Sequence, residues 1–143
     1  MYSANQIANY VINYCYDNGI FITNLHLQKL LYFIQGEYCR KNHNRLIADD
    51  FYAWKLGPVV PEVYSKYAIC SSSIIPKQKD EETINVETMH LIQNVLQKYA
   101  QLSVWDLVEI SHQQDPWKYN YEIFGDKAII PFESISNYFQ ENV

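Results

Sequence analysis

Residues 52–64, Tyr-Ala-Trp-Lys-Leu-Gly-Pro-Val-Val-Pro-Glu-Val-Tyr, constrain the possible folds of this chain more than any other stretch. Glycine opens backbone angles that other residues avoid, while proline fixes φ and removes a donor. Gly57, Pro58 and Pro61, placed after Trp54 and between two apolar runs, therefore dictate a corner. None of these residues carries a reactive group. A segment that specifies shape so strongly points to a protein that works through its surface before it points to a catalytic centre.

The periodicity on either side of the corner is helical. Ser3 and Gln6 have the spacing of a capping box, followed by Ile7, Val11, Tyr14 and Cys15, with Gly19 as a stop. Leu27, Leu30, Leu31, Ile34 and Tyr38 form the clearest amphipathic stripe, predicting a helix from Thr23 or Asn24 to about Lys41. Gly36 within it is an internal weakness of ~1 kcal/mol. A short strand is predicted at 50–56 and a turn at Gly57-Pro58, then a helix from Pro61 to about Ile69. Further helices are expected at Val86–Tyr99, from Ser103 to about Ser111, and through Ile135, Tyr138 and Phe139; Asp115-Pro116-Trp117 reads as the close of the second of these. Residues 128–132 read as a strand that can pair with 51–56. The expectation is a mainly α fold: a compact single-domain helical bundle of about six helices with a small two-stranded β element. Residues 1–143 form one domain in this reading, with an exposed mobile connection at about 71–84.

A chain of 143 residues has room for one ordinary core. Its 11 Lys and Arg against 16 Asp and Glu give a net charge of −5, a field that repels phosphate backbones. Nucleic acid is therefore not expected as a partner. Cys15, Cys39 and Cys70 are odd in number and widely spaced, which fits reduced thiols in the cytoplasm. Neither a leader nor a membrane-spanning apolar run is visible. Thirteen tyrosines suit half-buried positions and binding surfaces, and fit equally a compositional preference of the source genome.

The residues of reactive chemistry are sparse. His26, His43, His90 and His112 make no local metal-ligand spacing, and the glycines at 19, 36, 57 and 125 form no phosphate-binding loop. No metal, cofactor or catalytic residue is expected. His112, near Asp115, could serve as a general base or pair with a distant thiol. The favoured reading has its ring nitrogens bonding backbone groups and pinning the turn to Pro116 and Trp117. Trp54, Trp105 and Trp117 could line a ligand pocket, but are read as core fillers. Asp49 and Asp50 read as a turn, and Glu62 as a carboxylate favouring a helix N-terminus. Gln28 and Lys29 fall off the apolar stripe, either as a solvated face or as a partner-contact face.

Three segments taken together carry a family likeness. They are Leu25-His26-Leu27-Gln28-Lys29-Leu30-Leu31-Tyr32-Phe33-Ile34-Gln35-Gly36, Ala53 to Tyr64, and Ser111-His112-Gln113-Gln114-Asp115-Pro116-Trp117. In this order the chain closely resembles the SocA-like or Panacea domain, which includes phage-associated GepA-type proteins. The resemblance runs from Ser3 to about Phe139. It implies an antitoxin of a bacterial or prophage toxin–antitoxin pair that neutralises a toxin protein by direct binding. It also implies two alternatives: an adaptor delivering its toxin to a ClpXP-type protease, or an interaction module of a mobile element. An enzyme with a composite site around His112 ranks below these. Among the motif positions, Leu27, Leu30, Trp54, Gly57, Pro58, Val59, Pro61, His112, Pro116 and Trp117 are expected to be mainly structural. Gln28, Lys29, Tyr32 and Tyr64 are the expected partner-binding face. Neither a helix-turn-helix module nor a membrane partner is expected beside the domain.

Overall fold

In the computed structural model, which describes residues 1–142, the long helices begin where polar side chains close their first turns. Ser3 and Gln6 make a reciprocal capping box on α1 (Ala4–Asp17). Thr23 caps α2 (Asn24–Asn42), Asn85 caps α4 (Val86–Tyr99) and Ser103 caps α5 (Val104–His112). Each cap satisfies a donor that the helix leaves unbonded, a contribution of ~1 kcal/mol. The short α3 (Pro61–Lys66) starts on proline, where the missing N–H costs nothing. The last helix is α7 (Phe132–Glu141). The fold is mainly α, as the periodicity implied.

Two elements depart from the sequence reading. Asp115-Pro116-Trp117 does not end a helix but starts one, α6 (Asp115–Phe124). Proline breaks a helix interior yet suits its first turn, so Pro116 separates two helices by only a short link. The second departure is at the corner. Gly57–Val59 is itself a strand, β2, folded back on β1 (Phe51–Trp54) across Lys55-Leu56. With β3 (Ala128–Ile130) the sheet has three antiparallel strands in the order β2-β1-β3. The β1–β3 pairing is the one expected.

Helix α2 runs through the centre and touches α1, α3, α4, α5, α7 and β2. Its apolar stripe of Leu27, Leu30, Leu31 and Ile34 is fully buried. Phe33 stacks on Tyr99 of α4 at 4.3 Å, and the Tyr32 ring meets Phe139 of α7 edge-on at 5.7 Å. Gly36 is where α7 comes closest. A Cβ there would lie 2.3 Å from the Phe139 ring, so the glycine permits the contact rather than merely weakening the helix.

The 71–84 connection is largely exposed and irregular except at two anchors. Ile75 and Ile84 are buried, and the Ile75 N–H donates to the Ile22 carbonyl at 2.9 Å. Side chains of α1 strap the segment down: Asn13 accepts from the Gln78 N–H at 2.8 Å, and the Asn9 amide donates to the Asp80 carbonyl.

Candidate functional site: a corner held from inside

The Trp54–Tyr64 corner has few backbone partners of its own, because the chain reverses and then enters a helix within a few residues. Its polar groups are met from behind by α2 side chains. Lys29 Nζ donates to the Pro58 carbonyl at 2.8 Å. Gln28 Oε1 accepts from the Val60 N–H at 3.0 Å, while its amide donates to Asn24 Oδ1 at 3.0 Å. Asn24 in turn donates to the Tyr64 carbonyl at 3.0 Å. Two turns further along α2, Gln35 accepts from the Leu46 and Ile47 N–H groups and donates to the Ile47 carbonyl. The polar residues of α2 thus form a buried spine that templates the chain from Leu46 to Tyr64. Each backbone group left unmet in this setting would cost ~1–3 kcal/mol.

Gly57 closes the corner against this spine. Its φ of 113° lies in the left-handed region, and a Cβ would sit 2.6 Å from Lys29 Cε and 2.9 Å from Ser111 Oγ. Glycine is required here for both its angle and its absent side chain. Lys29 is fully buried with a carbonyl for its acceptor, and burial pushes its pKa down to about 7.

The α5–α6 junction lies against the same corner. His112 stacks on Trp117 at 3.9 Å, and Trp117 stacks on Tyr121 at 4.5 Å. Trp117 Nε1 donates to the Trp54 carbonyl at 2.8 Å, and Tyr32 donates to Gln114 Oε1 at 2.7 Å. The three segments singled out in the sequence therefore meet at one place. The contact His112 makes at the junction is through its ring. Its Nε2 is buried and has no hydrogen-bond partner among the described residues. Burial lowers the His112 pKa and nearby Lys29 lowers it further, partly offset by the Lys55 backbone and Glu109. The thiol of Cys15 is pushed up to about 12 by burial, which leaves it a poor nucleophile.

The expected face of Gln28, Lys29, Tyr32 and Tyr64 does not assemble. Gln28, Lys29 and Tyr32 are each 0% exposed, and only Tyr64 reaches the surface. Helical periodicity sorts residues by polarity, so it places Gln28 and Lys29 outside; the unmet backbone of a distant segment draws them in. Trp105 departs the other way, 62% exposed at the start of α5 rather than filling the core. Trp54 is half-buried and Trp117 buried. Asp49 accepts from the Ala4 N–H at 2.7 Å and so favours the α1 N-terminus, and Asp50 pairs with Arg45 at 3.0 Å.

What the corner presents outward is the far face of the sheet. Phe51 and Ala53 point into the core, which leaves Tyr52 and Trp54 on the opposite side. Tyr52 stands beside Ile129 across the β1–β3 ladder, and Ile129 is 46% exposed. The Tyr64 ring meets Trp54 edge-on at 5.0 Å, and Lys127 Nζ lies 5.4 Å from the Trp54 ring centre. Tyr52, Lys127 and Ile129 were not singled out in the sequence; the alternation along Phe51–Trp54 is the signal that places Tyr52. Among the described residues, no group of three or more His, Cys, Asp or Glu is arranged to hold a metal ion, and no helix is long and apolar enough to cross a membrane.

The chain matches the family "Antitoxin SocA-like, Panacea domain" over residues 27–118, a span that holds the α2 spine, the corner and the α5–α6 junction. It belongs to this family. Among characterised proteins it is similar to Antitoxin SocA of Caulobacter vibrioides (strain NA1000 / CB15N). The two are 30% identical over 128 residues, covering 80% of this chain and 68% of that protein. No solved structure matches it.

Proposed function

We propose that this protein is an antitoxin that neutralises a cognate toxin protein by binding it, without catalysis of its own. The observation that carries this reading is the family match across all three packed segments, Leu27 to Lys118. The physical form of the molecule agrees with it. A buried polar spine is spent on fixing a rigid corner, and that corner displays an aromatic surface of Tyr52, Trp54 and Tyr64 edged by Ile129. Aromatic residues on a preorganised surface give large contact area for little entropy. Of the four residues expected to bind the partner, Tyr64 retains that role in this proposal. Gln28, Lys29 and Tyr32 serve it from beneath.

Co-expression with the product of the adjacent gene tests the proposal. The neighbour alone should arrest growth, and growth should return when this chain is present and folded, with the two proteins co-purifying. Persistent arrest beside folded protein would overturn it. Toxin half-life in cells with and without a ClpXP-type protease separates blocking from delivery: blocking leaves the half-life unchanged by the protease.

A further inference from the structure

We propose that Lys29 and the Gly57–Pro58 corner form a proton-sensitive latch, closed by a neutral amine and loosened when that amine takes up a proton. The geometry makes the case. Lys29 Nζ is buried, and the hydrogen bond it makes is to the carbonyl of Pro58 at 2.8 Å. An amine has two donors and an ammonium three, and an interior ammonium needs a counter-charge as well. The ion pairs among the described residues are Arg40–Glu37, Arg45–Asp50 and Lys77–Asp17, so Lys29 has none.

The groups around the amine give it no counter-charge: Asp115 acts on Tyr32 and Glu109 on His112, and neither forms an ion pair with Lys29. Strand β2 contributes Gly57 and Pro58, which do not titrate. Helix α5 contributes Ser111, whose hydroxyl already donates to the Val108 carbonyl at 2.8 Å, and His112, a second base. One turn along α2 lies Tyr32, a buried phenol whose pKa is raised. Lys29 and His112 oppose each other's charging, so a proton on either weakens the case for the other. Gly57 leaves no room for even a Cβ between the backbone and the lysine stem or Ser111. The ammonium reaches water when the β1–β2 hairpin lifts.

The consequence is a hairpin that tightens with alkalinity. The burial that brings the lysine pKa to about 7 sets the onset of this dependence near neutrality. While the closed amine is neutral and the open one charged, opening carries one proton, and its equilibrium falls roughly tenfold per pH unit. Trp54 and Tyr64 ride on this hairpin and the helix after it, so the latch sets the order of the surface that the proposed function uses.

Amide hydrogen exchange of Gly57 and Val59, paired with β1, and of Val60, bonded to Gln28, tests it between pH 7 and 9. Base-catalysed exchange rises about tenfold per unit and the latch closes by about the same factor, so these amides should exchange at nearly constant rate. In Lys29→Met they should regain the full rise. The same rise in the unaltered protein would overturn the latch. A second measurement needs no variant: the Lys29 13Cε chemical shift of the intact protein should titrate near neutrality. A shift that stays that of an ammonium to pH 9 overturns the proposal, whether or not the chain proves to bind a toxin.

Discussion

His26, Lys29 and His112 are bases held wholly or partly away from water, and each sets a direction for stability against pH. Burial lowers the pKa of His26, with the Leu102 backbone pulling the other way, and burial with Lys29 lowers that of His112. In the unfolded chain both return to ~6.5. Between the folded and unfolded values the unfolded chain holds more protons, so stability is complete above about 6.5 and is lost as pH falls below it. The urea midpoint should accordingly drop between pH 7 and 5.5. Replacing both residues by Gln, which keeps hydrogen-bonding capacity, should flatten that drop relative to the parent. An equally steep decline in the double variant would place the effect elsewhere. Lys29 acts in the same sense but above neutrality, where its folded and unfolded forms differ.

At the scale of elements, the α2–α7 contact depends on an absent methyl group. Gly36→Ala gains ~1 kcal/mol of helix propensity, but overpacking a closed contact costs ~1–3 kcal/mol. The new Cβ would stand 2.3 Å from Phe139, a ring 1% exposed and also in contact with Tyr32. The net outcome should be a loss of up to about 2 kcal/mol by urea denaturation. Adding Phe139→Leu should make the two changes non-additive, because the smaller side chain relieves the clash. A Gly36→Ala protein as stable as its parent would mean that α7 slides freely. Periodicity alone reads Gly36 as a defect, since it sees one helix and not its neighbour. The same limit explains Gln28, Lys29 and Gln35. The stripe of Leu27, Leu30, Leu31 and Ile34 was legible because aliphatic burial needs no particular partner. Buried polar residues are placed by specific backbone groups 11 to 40 positions away, as with Gln35 and Ile47 or Asn24 and Tyr64. The sixth helix was missed for a local reason: Pro116 stops one helix and starts the next, and only the start makes use of its fixed φ.

For the whole molecule, the polar spine and the sheet divide the labour between inside and outside. Residues that look like a binding surface in the sequence hold the corner, and the residues that reach solvent are their neighbours on β1, β3 and α3. If the outer sheet face meets the toxin, Ile129→Asp should cost at least ~1.4 kcal/mol of binding, a tenfold rise in Kd. An exposed edge position bears little on folding, so stability should stay within about 0.5 kcal/mol of the parent. Val86→Asp provides the matched control: Val86 is 63% exposed, and its helix packs on α1 and α2 rather than on the sheet. Both variants add one negative charge to a chain already at −5, so a general electrostatic effect would weaken them alike. Loss of growth rescue and of co-purification with Ile129→Asp, while Val86→Asp retains both, would locate the contact at the sheet. The reverse pattern would move it to α4, and the aromatic strip over Trp54 would then be scaffold on both of its faces.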